Sequence, residues 1–103
     1  MSDLPKPPPT HEEFVSTFPE LGEAWRILGE AGDAGPLDDK TARLIKLAVA
    51  MGAQHEGAVH ASVRKGLAMG VTREELEQVV ALSAGTLGLP RTVAAYTWIT
   101  DLF

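Results

Sequence analysis

Two histidines and a glutamate lie close together in this chain, at His55, Glu56 and His60. Glu56 and His60 are four positions apart, so on a helix their side chains share one face. A carboxylate beside an imidazole holds it in one tautomer and makes it a better base. Arg64 extends the same line by another turn, and a guanidinium can hold a carboxylate through two parallel hydrogen bonds. The spacing therefore predicts Glu56 and His60 as an acid–base pair, with Arg64 as an anchor for a small anionic substrate.

The same residues have two other interpretations. A Glu–His–Arg line at this spacing also occurs on solvated helix faces, where each pair stabilises the helix by about 0.2–0.5 kcal/mol. A metal site is the second, but His55 and His60 are about 140° apart around a regular helix and cannot both bind one ion. Glu56 and His60 could supply only two ligands, and a metal-dependent activity would require a bound transition metal that is lost in His60→Ala. We predict no metal and no cofactor.

The composition excludes several classes of function. The 103 residues include no cysteine, so the chain has no disulfide, no thiolate nucleophile and no zinc–thiolate site. A net charge of -5 provides no basic field for phosphates, which argues against a nucleic-acid partner. No apolar run approaches the roughly 20 residues that cross a bilayer, and the N-terminus lacks a signal pattern. We therefore expect a soluble, cytoplasmic protein with no membrane partner.

The elements that must position these side chains are helices. Apolar residues recur at helical spacing, and no segment alternates apolar and polar residues as a strand would, so the fold class is all-α. Residues 1–9 include four prolines and predict an extended N-terminal arm, followed by a single helical domain over 10–103. Capping-box patterns begin at Thr10 and Thr72, and Asp38 is expected to cap another helix. Gly70 is expected to end the helix that carries His60.

The sequence also predicts where the helices are interrupted and which parts of the chain carry excess apolar surface. Glycine and proline predict a loop over 29–36 and a break over 85–90. The helix after Asp38 is apolar over a wide arc and should be buried from more than one side. It has more apolar surface than its partners in so short a chain can easily cover, and residues 96–103 are also rich in large apolar side chains. These two features predict a homo-oligomer; a compact monomer with a well-docked last helix is the alternative.

Three segments carry a resemblance to a known family. They are LDDKTARLIKLAVA at 37–50, GLAMGVTREEL at 66–76 and GLP at 88–90. In order and spacing, the chain from Leu37 to about Trp98 resembles the carboxymuconolactone decarboxylase and alkylhydroperoxidase D superfamily. The resemblance implies a small multi-helix bundle of the alkylhydroperoxidase D-like type. It also implies assembly into trimers, hexamers or related rings, with active sites near subunit boundaries.

The positions that react in the peroxidase branch of that superfamily are exchanged here. By the resemblance, the two cysteine positions fall on His55 and Ala58, the histidine position on Ser62 and the glutamate position on Arg43. Without thiolates, peroxidase or disulfide-reductase chemistry is excluded. The decarboxylase branch has a histidine where Ser62 stands.

The resemblance thus leaves two functions open. The first is a cofactor-free lyase-like enzyme in which Glu56 and His60 catalyse decarboxylation or isomerisation of a small oxo or lactone acid. Arg64, Arg43, His55 and Ser62 are then the candidate substrate-binding residues. The second is a catalytically silent family member that serves as an oligomeric or small-molecule-binding scaffold.

Overall fold

The chain folds into six α-helices in the computed structural model, which describes residues 4–103. No strand occurs in this range, so the all-α prediction is confirmed. None of the helices in the described range is long and apolar enough to cross a membrane. The helices are α1 (Thr10–Thr17), α2 (Pro19–Asp33), α3 (Asp39–Gly52), α4 (Glu56–Ala68), α5 (Arg73–Leu87) and α6 (Leu89–Thr100).

The hydrophobic core lies among the last four helices. Helix α3 packs along α4 and α5, and α6 closes the bundle against α4 and α5. Each helix contributes apolar side chains at helical spacing, and their removal from water is the main favourable term in folding. The largest fully buried side chains are Leu47, Met51, Val59, Val63, Leu76 and Ile99.

Local hydrogen bonds define where the core helices begin. The Asp38 carboxylate accepts a hydrogen bond from the Thr41 amide at 2.7 Å, which confirms the predicted cap of α3. Thr72 and Glu75 form the predicted reciprocal capping box at the start of α5. Gly70 has a φ of 90° directly after the C-cap of α4, a left-handed conformation that glycine adopts without steric cost. These patterns depend on residues within four positions of one another.

Three sequence-based helix boundaries differ from the structure. Thr10 is the first residue of α1, which starts after Pro9 without a side-chain cap, so no capping box forms there. Helix α2 continues through residues 29–33, because glycine lowers helix propensity without forbidding the conformation. The break predicted over 85–90 is present but is confined to Gly88, whose φ is 83°, because α5 continues to Leu87.

The proline-rich arm was predicted over residues 1–9. Residues 1–3 lie outside the described range, and residues 4–9 form neither helix nor strand. Helices α1 and α2 then pack on each other so closely that a Cβ at Gly22 would lie 2.7 Å from Val15 Cγ1. Neither helix has a buried residue.

Helix α3 is buried on one side only within the subunit. Leu47, Ala50 and Met51 face the core, whereas Ile45 and Val49 are exposed. The expectation of burial from more than one side is therefore wrong for the isolated subunit. The expectation that its apolar arc exceeds what the subunit covers is confirmed.

The apolar C-terminus is partly covered. Ile99 is buried in the core, and Trp98 and Leu102 pack against it. The guanidinium of Arg73 lies 4.8 Å from the centre of the Phe103 ring, a cation–π geometry that holds the last residue against α5.

Candidate functional site

Helix α4 carries most of the predicted site residues. Its buried face consists of Val59, Ser62, Val63 and Gly66, which repeat at helical spacing and pack into the bundle. His60 and Arg64 therefore lie on the flank of this face, and both are half-buried. The packing of two fully buried valines beside them fixes the direction in which the imidazole and the guanidinium project.

His60 is paired with a residue from another helix. Its Nε2 lies 3.1 Å from Oδ2 of Asp101, the residue that directly follows α6. With the proton on Nε2, the imidazole donates to the carboxylate, and Nδ1 is left as a hydrogen-bond acceptor and base. Sequence reasoning missed Asp101 because the two residues are 41 positions apart and no local pattern joins them.

Glu56 occupies the first position of α4, where a carboxylate interacts favourably with the helix dipole. Its side chain is exposed and makes no hydrogen bond or ion pair with any residue in 4–103. The predicted contact between Glu56 and His60 is therefore not formed in this structure, although both lie on the same helix one turn apart. The carboxylate that holds the imidazole is that of Asp101.

His55 has a structural contact that the sequence did not predict. Its Nδ1 accepts a hydrogen bond from the Ala58 amide at 3.0 Å, so the imidazole caps the N-terminus of α4. Gln54 precedes it with a φ of 54°, an uncommon conformation for a residue with a side chain. The Gln54 amide donates to the Met51 carbonyl at 2.9 Å and ties this turn to α3. His55 therefore positions the start of the site helix.

Arg43 is a residue of α3, and its side chain packs against α4 at Gly66. Its Cγ would lie 3.6 Å from a Cβ placed at Gly66, so its stem packs against the buried face of α4. The Arg43 Nε is buried and has no hydrogen-bond partner within the described residues. Ser62, which stands on that face, is 6% exposed. An unpaired buried donor is costly, so it can gain from an acceptor that a ligand supplies.

Four cations gather where α3 and α4 meet: Arg43, Lys46, Arg64 and Lys65. Partial burial lowers the pKa of the Lys65 ammonium, and the positive charges of Arg43, Arg64 and Lys46 lower it further. In a chain of net charge -5 this is a local positive field, and such a field favours small anions.

A groove on a different side of the bundle offers apolar surface. It lies between α3 and α5 and encloses about 600 Å³. None of the predicted site residues lines it. Its apolar walls come from Leu44, Ile45, Ala48, Val79, Leu82 and Leu87.

No group of three or more His, Asp or Glu side chains within residues 4–103 has a geometry that could hold a metal ion. The site as described is a histidine–carboxylate pair, with cations nearby on α4 and on α3.

Comparison with known proteins shows the family of this chain. Residues 19–101 match the carboxymuconolactone decarboxylase family. The chain belongs to that family. The resemblance in the sequence is thus confirmed, and the match extends it toward the N-terminus to include α2. The chain has none of the cysteines of the peroxidase motif.

Two relatives cover most of the chain. An uncharacterised protein of Methanocaldococcus jannaschii, MJ1511, is 33% identical over 97 residues, which cover 93% of this chain and 91% of that protein. The crystal structure of apo-lpg0406, a carboxymuconolactone decarboxylase family protein from Legionella pneumophila, superimposes with a TM-score of 0.76 at 26% identity. That match covers 90% of this chain and 87% of the Legionella chain.

Proposed function

We propose that this protein is a cofactor-free acid–base enzyme that acts on a small anionic oxo or lactone acid, by isomerisation or decarboxylation. The observation that carries the proposal is the contact of His60 Nε2 with Asp101 Oδ2 at 3.1 Å. It leaves Nδ1 as the basic atom of a half-buried imidazole. Membership of the carboxymuconolactone decarboxylase family supports this class of chemistry.

In the proposed reaction His60 removes a proton from the carbon beside the substrate carbonyl. The C–H bond breaks, the proton moves to Nδ1, and the electron pair becomes an enolate. Asp101 stabilises the imidazolium that forms, because a carboxylate favours the charged form of a neighbouring histidine. Return of the proton to another carbon completes an isomerisation. Glu56, one turn earlier on α4 and exposed, is the proposed partner for this second transfer.

Arg64 and Arg43 are the proposed anchors of the substrate carboxylate. Arg64 follows His60 by one turn, and the rise of about 6 Å matches the distance between the two ends of a small oxo acid. The positive charges around Lys65 and the unpaired Arg43 Nε support an anionic substrate. Ser62 borders this region, and His55 contributes by capping the helix that carries it.

The test is exchange of substrate protons with solvent. Oxo and lactone acids with an acidic C–H are incubated with the protein in D₂O, and loss of that proton is followed by ¹H NMR. General-base catalysis contributes about 10²–10⁴-fold, so His60→Gln should lose that factor for any acid that the wild type exchanges. Asp101→Asn should lose less, up to about fivefold, because a partly exposed ion pair contributes about 0.2–1 kcal/mol.

The control is His11→Gln, which removes a histidine on α1 that contacts Trp25 and lies outside α4. It should retain wild-type exchange. Equal exchange by wild type and His60→Gln would refute a catalytic role for His60, and equal exchange by Glu56→Gln would remove that residue from the mechanism.

The second candidate function is a catalytically silent scaffold that assembles as a homo-oligomer, with a trimer or hexamer as the proposed state. The observation that favours it is that the chain has an apolar groove and exposed apolar residues on α2 and α3. His60 is not part of any of these surfaces. A scaffold predicts no exchange for any acid tested, with an oligomer that persists in His60→Gln.

A further inference from the structure

The pair of helices α1 and α2 buries little apolar surface within its own subunit. Helix α1 has 8 residues and α2 has 15, and neither contains a buried residue. Isolated helices shorter than about 12–15 residues are marginal in water, and helices in proteins gain most of their stability by burying an apolar face. The structure of these two helices therefore implies a surface that covers them.

Helix α2 carries an exposed apolar face, in which Trp25 also contacts the His11 ring of α1. Leu21, Trp25 and Leu28 follow one another at i, i+4 and i+7 and share one side of the helix. On the opposite side, Arg26 is paired with both Glu23 and Glu30, so these three charged side chains are partnered within α2. Leu28, at the C-terminal end of this face, is 72% exposed.

We propose that this α2 face of one subunit docks in the α3–α5 groove of a second copy of the same chain. The inference rests on the homo-oligomer proposed above and is independent of the acid–base activity. The groove is apolar and open, and it presents Ile45 and Leu82, which are both exposed. Both complementary surfaces thus exist on every subunit, and each lacks a cover in the single chain.

The α2 face cannot reach the groove of its own subunit in this arrangement. Five residues, 34–38, join α2 to α3, and they span at most about 17 Å. The Asp33 carboxylate at the end of α2 lies 4.0 Å from Lys46 Nζ on α3. A helix turns by about 100° per residue. Lys46 therefore points roughly 150° away, around the axis of α3, from the average direction of the α3 residues that line the groove. The end of α2 is therefore held on the far side of α3 from the groove.

The exposed apolar side chains of the two surfaces reach the lower limit of area for a specific interface. Leu21, Trp25 and Leu28 on α2 and Ile45 and Leu82 in the groove are each at least 46% exposed. If each buries on the order of 100 Å², a two-fold dimer that makes the contact twice buries about 500 Å² per subunit from these five side chains, or about 1,000 Å² in total, the lower limit for a specific interface. Two different surfaces on one chain can close as a two-fold dimer with both contacts made twice, or continue around a ring.

The absence of cysteine from the chain makes a cross-linking test specific. Leu28→Cys is co-expressed with Leu82→Cys that carries a tag of different mass, and the purified assembly is treated with a short bis-maleimide. We expect a covalent dimer with one tagged and one untagged chain. Glu30→Cys, on the opposite face of α2, is the matched control and should give at least tenfold less of it. Leu21→Cys replaces Leu28→Cys if the latter does not fold.

Light scattering measures the oligomeric state of the protein before cross-linking, and this state distinguishes the possible outcomes. An oligomer that gives no mixed dimer above the Glu30→Cys control overturns the proposed docking surface and leaves the homo-oligomer standing. A monomer at all concentrations overturns both. If a single chain with both Leu28→Cys and Leu82→Cys cross-links only within itself, α2 covers its own groove and the proposal is wrong.

Discussion

Two leucines of helix α5 allow the described burial to be tested with one substitution. Leu76 is 1% exposed and belongs to the core, whereas Leu82, on the same helix, is 74% exposed. Burying a leucine contributes about 1.5–3 kcal/mol, and a cavity adds to the loss when the side chain is truncated. We therefore expect Leu76→Ala to lower the free energy of unfolding by about 3 kcal/mol. This is a large part of the roughly 5–15 kcal/mol available to such a domain.

Leu82→Ala is the matched control, with the same residue types in the same helix. In dilute, monomeric protein it should change the free energy of unfolding by less than about 0.5 kcal/mol, because its side chain already contacts water. If Leu82 lies in the interface between copies, its substitution should instead weaken association. The unfolding midpoint of the wild type would then rise with protein concentration more steeply than that of Leu82→Ala.

The assay is urea unfolding followed by far-UV circular dichroism at several protein concentrations. With a slope of about 1.5–2 kcal/mol per molar urea, a loss of 3 kcal/mol lowers the midpoint for Leu76→Ala by roughly 1.5–2 M. Equal losses for the two variants in monomeric protein would refute the burial described for α5. A concentration dependence that Leu82→Ala leaves unchanged would contradict a role for this leucine in association.

Four further predictions concern individual residues. Thr72→Ala should lower the free energy of unfolding by about 1 kcal/mol in the same urea assay, because the capping box of α5 loses its hydroxyl acceptor. The Lys40 ammonium, and then the Thr72 amide, lower the pKa of Glu75. The stability that this carboxylate contributes is therefore present above its ordinary pKa of about 4.3 and is lost as the pH falls through the lower folded value. In Glu75→Gln the loss of stability in acid, measured as urea midpoint against pH, should be smaller than in the wild type. Gly88→Ala should cost about 1–2 kcal/mol, because alanine is strained at a φ of 83°, and an unchanged thermal midpoint would contradict this. Arg43→Met should be neutral or stabilising in thermal unfolding without added anions, since it removes a buried donor that has no partner in the described range; a loss above about 2 kcal/mol would contradict this reasoning.

The sequence by itself determined the features that depend on residues close together along the chain. The helical class follows from apolar spacing, and the caps at Asp38 and Thr72 follow from a side chain that reaches an amide three positions on. The left-handed conformation at Gly70 is also a local feature, because it depends on the glycine at that position. The family also follows from the sequence, since residues 19–101 carry its pattern. Such signals hold because the interacting groups are joined by a few bonds, so other parts of the molecule change them little.

Only the tertiary structure decided which groups meet across helices. The spacing of Glu56 and His60 correctly placed both on α4, but the packing of α6 against α4 brought Asp101 to the imidazole instead. The packing of α3 against α4 left the Arg43 Nε buried without a partner within the described residues. The arrangement of the six helices left the apolar face of α2 outside the core. Each of these outcomes depends on how helices distant in sequence are rotated and translated against one another, and no local pattern specifies that geometry.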